Sequence, residues 1–124
     1  MTPPTFHIEA DAPGEFLKLT LAGDWNEEIS ARFGVAVAAT LRQMLVDGTR
    51  HGQLRTLIDM KRKNVLPQTV VADFAKMVRP DSPSKRIAMV FSGALHRMQV
   101  KRIADHRCAL FDNVEEARAW LFAD

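Results

Sequence analysis

The feature that most limits how this chain can fold is the regular exchange of two periodicities. Strand-length apolar runs occur at 16–21, 54–59, 86–91 and 108–111, each separated from the next by one segment with helical spacing. Runs of the first kind must hydrogen-bond to one another, while the segments between them are too long for turns and must cover a sheet face. Strands joined in this way run parallel through right-handed crossovers. Ahead of them, Phe6 to Ala10 alternates like a further strand and meets Phe16 through the turn residues Ala12-Pro13-Gly14, a hairpin signature.

The helical segments can be bounded from their own residues. In the first, Ile29, Phe33, Val37, Leu41, Met44 and Leu45 form one stripe. Either Asp24 with Glu27, as a capping box, or Asn26 would start it, and Asp47-Gly48 would end it. Pro67 suits the first turn of a second helix with Val71, Phe74 and Val78 inward, stopped by Pro80. Ser92-Gly93 opens a third, through about Asp105. Asp112-Asn113 caps the last, with Glu115 and Glu116 in its first turn and Val114, Ala117 and Leu121 inward. The expected fold is α/β, in the order β-β-α-β-α-β-α-β-α over one domain, 1–124. Its sheet is mostly parallel, with the N-terminal hairpin strand at the edge and helices on both faces.

Charge is distributed unevenly along this order. Residues 1–49 hold three Lys/Arg against seven Asp/Glu, 50–107 hold thirteen against four, and 108–124 hold one against four. A basic middle between acidic ends suits an anionic partner, and equally suits pairing between the ends and the middle. The single cysteine, Cys108, excludes an intrachain disulfide and fits a reducing cytoplasm. No run approaches the ~18 consecutive apolar residues of a membrane span. The opening MTPPTFHIEA lacks the basic-then-apolar pattern of a signal peptide.

In an open parallel sheet, ligands bind beyond the carboxyl ends of the strands. The connections expected there bring Asp24 and Trp25, then Lys61, Arg62 and Lys63, then Ser92, Gly93 and His96, then Asp112 and Asn113. Three consecutive cations beside helix N-termini suit a phosphate, a carboxylate or an acidic protein patch. The competing explanation is that they neutralise Asp24, Asp59 and Asp112. Trp25 would either wall a pocket or cover the end of the core.

Other chemistry is poorly supported. His96, His106 and Cys108 lack the spacing of a zinc site, and no nucleophile elbow, dinucleotide fingerprint or P-loop is present. No metal, cofactor or catalytic constellation is therefore expected. The third helix carries Arg97, Lys101, Arg102 and Arg107, but the basic segment has few aromatics to stack on bases, so nucleic acid is not expected as a partner. Ala31, Val35, Ala38, Ala39 and Val46 form a second, small-residue face on the first helix. That face suits another helix of this chain or a second copy, giving a homo-oligomer.

The stretches KRIAMVFSG, MQVKRIA and ALFDNVEEARAWL resemble the STAS domain (sulfate transporter and anti-sigma factor antagonist), and within it the SpoIIAA-like branch. The resemblance implies a domain that regulates by binding another protein. It also implies a phosphorylated serine in a turn after the third strand. This chain has Asp59-Met60-Lys61-Arg62 there, without the hydroxyl, so no phosphorylation site is carried over. The expected function is a non-catalytic, cytoplasmic interaction domain using the cationic loop after the third strand. The alternative is a pocket at the same edge for a small anionic or amphipathic ligand such as a lipid, walled by Trp25.

Overall fold

The computed structural model describes residues 3–63, 84–90 and 107–123, with the backbone alone at 61–63. Strands β1 (Thr5–Asp11) and β2 (Phe16–Gly23) are followed by helix α1 (Glu27–Val46) and strand β3 (Leu54–Lys63). Strands β4 (Ser84–Val90) and β5 (Cys108–Phe111) and helix α2 (Val114–Leu121) complete the described elements. The second and third helices expected from the sequence lie outside the described residues. One five-stranded sheet has the order β1-β2-β3-β4-β5. The β1–β2 pair is antiparallel, as the hairpin requires, and every later pair is parallel.

Strand alternation divides the apolar residues between two layers. Leu17, Leu19 and Leu21 of β2, Leu54, Ile58 and Met60 of β3, and Ile87 and Met89 of β4 face α1. They bury against its Ile29, Phe33, Val37 and Met44. The intervening Leu57, Ala88 and Val90 face the other way and bury against Ala117 and Leu121 of α2. A strand covered on both sides in this way is apolar throughout its covered length, which is why Ile87 to Val90 of β4 do not alternate with polar residues. Each fully buried Leu, Ile or Phe contributes about 1.5–3 kcal/mol of transfer free energy.

Both described helices begin at an asparagine. The Asn26 side chain accepts the Ile29 amide at 3.0 Å and Asn113 that of Glu116 at 2.8 Å. Asn26, rather than an Asp24–Glu27 capping box, therefore starts α1. At the other end of α1, the Asp47 amide donates to the Gln43 and Met44 carbonyls, and Gly48 follows at φ +120°.

The sequence reading needs one correction. β3 does not stop at Asp59; it runs on to Lys63. Lys61, Arg62 and Lys63 are strand residues, not a connecting loop. β2 also continues, and offers Ala22 to Arg62 and Gly23 to Lys63 as partners. The register shifts between Thr20 and Ala22, so Met60 and Lys61 together oppose Leu21 in a β-bulge. Gly23 closes β2 at φ +86°, where a Cβ would run into the Pro3 carbonyl, so only glycine fits there.

Candidate functional site at the carboxyl edge of the sheet

The parallel register puts Thr20, Asp59, Val90 and Phe111 in one row across β2 to β5. The carboxyl ends of these four strands therefore lie along a single edge of the sheet. β2 and β3 continue past this row, to Gly23 and Lys63. At about 3.3 Å per residue, β3 runs on roughly 13 Å from Asp59 to Lys63. Lys61, Arg62 and Lys63 thus belong to the paired, bulged end of the β2–β3 ladder at this edge. Ser92, Gly93 and His96, assigned to the same edge from the sequence, lie outside the described residues.

Trp25 follows β2 at this edge but turns inward. Its ring is 4% exposed and sits 5.3 Å from Phe33, edge to face, and 6.4 Å from Phe6. The indole Nε1 donates to the Ala22 carbonyl at 3.0 Å, which satisfies its one polar group. Of the two roles open to it, Trp25 takes that of covering the end of the core. The wall of a pocket would need a ring face that this packing encloses. The N-termini of α1 and α2 are likewise occupied, each by its own asparagine carbonyl.

No family model matches this chain, and no curated protein matches it. Two solved structures share its architecture over nearly the whole length. One is an anti-sigma factor antagonist from Mycobacterium paratuberculosis, 12% identical, covering 96% of this chain and 94% of that one with a TM-score of 0.72. The other is an uncharacterised protein of the DUF3478 family with a SpoIIAA-like fold, from Shewanella loihica. It is 17% identical and covers 98% of this chain and 95% of that one, with a TM-score of 0.67. The fold is SpoIIAA-like.

Within this SpoIIAA-like sheet, the sequence reading overlooked the opposite, amino edge. There the β1–β2 turn docks on the segment leading into β3. Glu15, at φ 54°, accepts from the Arg50 amide at 2.9 Å and from its Nε and Nη2 at 3.1 and 2.8 Å. The Glu15 carbonyl also receives the Arg55 amide at 2.8 Å, and Thr49 Oγ1 donates to the Ala12 carbonyl at 2.9 Å. Hydrogen bonds from Arg50 hold the Glu15 carboxyl down at about 2. Arg55 and Arg86 are cross-strand neighbours in the parallel register, which would ordinarily repel. Both point to the end of α2, where Arg55 Nε donates to the Leu121 carbonyl and Arg86 Nη1 to that of Trp120, each at 2.8 Å. The unpaired carbonyls of a helix C-terminus accept such cations well.

Two further expectations can be placed. α1 is long and apolar enough by composition to cross a membrane, yet Ile29, Phe33, Val37 and Met44 are buried on the sheet, as in a core helix. Its outer face exposes Ala31, Ala38 and Ala39, with Val35 at 71% and Val46 at 79%. Cys108 is half-buried at the start of β5. Among the described residues, no three His, Cys, Asp or Glu side chains converge as a metal site would need.

Proposed function

We propose that this chain is a non-catalytic regulatory domain that binds an acidic surface of a protein partner through Lys61, Arg62 and Lys63. One observation carries this reading: β3 runs on from Asp59 through Lys63 while still paired to Ala22 and Gly23. Cations on a hydrogen-bonded ribbon lose less conformational freedom on binding than cations on a loop, so more of the attraction is retained as affinity. The SpoIIAA-like fold supports the same choice, since a solved structure of this architecture is an anti-sigma factor antagonist, described by its action on another regulator.

The proposed contact extends to Ser92, Gly93 and His96 on the segment that follows β4. Serine phosphorylation has no place in it. Where the STAS resemblance would put a turn with a hydroxyl, this chain has Asp59, Met60, Lys61 and Arg62 in a continuous strand. The other reading, a lipid-like ligand in a pocket beside Trp25, draws no support from a ring already enclosed by Phe6 and Phe33.

The test is affinity capture from lysate with the unaltered chain and with Lys61→Glu, Arg62→Glu and Lys63→Glu combined. Capture of a specific protein by the unaltered chain, lost on charge reversal at an unchanged melting temperature, is the expected result. Undiminished capture would defeat the proposal.

A further inference from the structure

We infer that the outer face of α1 recognises a second copy of this chain, the two α1 helices docking antiparallel with Val35 on the two-fold axis.

α1 is more apolar than its own chain can use. Residues 29–41 carry a single charge, Arg32, in a sequence that is 26% charged. Ile29, Phe33, Val37 and Met44 account for the side laid on the sheet. On the opposite side Val35 is 71% exposed, Val46 79% and Leu45 40%. Among the described residues, Phe122 is the only large apolar side chain outside α1 left so open. A helix face meant for water is ordinarily polar. Gly34 points the same way. An interior glycine weakens a helix relative to alanine, yet a Cβ at Gly34 would meet nothing within 4 Å. Nothing inside one copy requires this glycine, whereas a second backbone could approach closely beside it.

Charge selects the occupant. Glu28, Val35 and Arg42 are spaced by seven residues, so they lie along one line of the outer face. A two-fold axis through Val35 sets Glu28 of each copy opposite Arg42 of the other, and Ala31 opposite Ala39. Val35 then meets its own counterpart, and the helix dipoles run in opposite senses, which is the favourable arrangement. A parallel pair would instead oppose Glu28 to Glu28 and Arg42 to Arg42. Among the described residues neither Glu28 nor Arg42 makes an ion pair. Asp47, the next acid after Arg42, is held by the Gln43 amide at 3.1 Å. An acid at one end and a base at the other, with valine between them, complement a copy of the same face better than a membrane surface or a partner of uniform charge.

α1 is about 30 Å long, and a single helix-on-helix contact of that length belongs with the small interfaces, under about 1,200 Å² in total. The described core closes within one copy, so folding does not need the partner and association follows concentration. Lys61, Arg62 and Lys63 take no part, so self-association and the capture of a partner at the carboxyl edge can each fail alone.

Sedimentation equilibrium of the full chain, from about 10 µM to about 1 mM to cover weak contacts, tests the pairing. A monomer–dimer equilibrium is expected. Glu28→Arg and Arg42→Glu should each raise the dissociation constant about tenfold or more, because two attractive pairs become repulsive. Combining the two exchanges the charges and should return it to within about threefold of the unaltered chain. An equimolar mixture of the two single variants should also pair, which requires both to be folded. Val35→Lys, which puts two cations on the axis, should stay monomeric. A chain monomeric up to about 1 mM would leave the face to some other molecule and overturn the inference. So would a dimer that Val35→Lys leaves intact, or a double variant as weak as the single ones. Should a single variant fail to fold, the double variant and Val35→Lys decide.

Discussion

Glu15 shows how one side chain can join two distant parts of the sequence. Its carboxylate holds the backbone and guanidinium of Arg50, while its own carbonyl receives Arg55. Because Arg50 lowers its folded pKa from 4.5 to about 2, the carboxylate stabilises the fold fully above 4.5. That contribution fades as pH falls toward about 2, below which the group is protonated in both states. Denaturant titrations of the wild type and Glu15→Gln should therefore differ at neutral pH and converge across this window. A difference that stays constant with pH would show that the carboxylate charge is not what binds Arg50. A core residue gives a larger effect. Phe33 is 1% exposed and touches both Phe6 and Trp25, so Phe33→Ala should cost about 3–5 kcal/mol in equilibrium unfolding. The core role of Phe33 is visible in its place on the helical stripe. The Glu15–Arg50 pair is not, because nothing local in 15 or 50 indicates that a hairpin turn will meet a pre-strand loop.

Helices and strands were recoverable from the sequence to different degrees. α1 announces itself through a stripe of apolar residues, and its start is ambiguous only because Asp24 and Asn26 both qualify as caps. The hydrogen bond to Ile29 selects Asn26. Asn26→Ala should lower stability by about 0.5–2 kcal/mol, while Asp24→Ala should leave the helix content unchanged by circular dichroism. Strand ends are harder to read, since they depend on what the neighbouring strand offers. DMKRK looks like the end of a strand by composition, and three adjacent cations suggest a loop. β2 keeps supplying partners as far as Gly23, and the bulge opposite Leu21 absorbs the mismatch, so the ladder continues through Lys63. The same kind of bulge at Lys85 was equally hidden. A one-residue register shift leaves no trace in the apolar pattern. Outward valines on α1 belong at this level too: Val35→Lys, at a 71% exposed position, should change stability by less than ~0.5 kcal/mol.

Topology is where sequence and structure agree most fully. Four apolar runs with helical segments between them allow few arrangements, and the sequential, mostly parallel sheet is the one found. That topology creates two chemically different edges. At the carboxyl edge, the β2–β3 ladder runs past the Thr20–Asp59 pair and carries Lys61, Arg62 and Lys63. At the amino edge, Arg55 and Arg86 bind the end of α2 beside a cleft whose described lining includes Lys85, Arg86 and Arg107. The sequence identified the first edge through a run of cations. It concealed the second, whose cations are scattered over 85, 86 and 107 and meet only through parallel pairing. The ribbon is the element on which the proposed partner binding depends. Interstrand NOEs from the labelled protein measure it directly. The structure predicts contacts across the row Thr20, Asp59, Val90 and Phe111, and beyond it between Ala22 and Arg62 and between Gly23 and Lys63. Row contacts without the Ala22–Arg62 and Gly23–Lys63 contacts would return the three cations to a loop and contradict the binding ribbon.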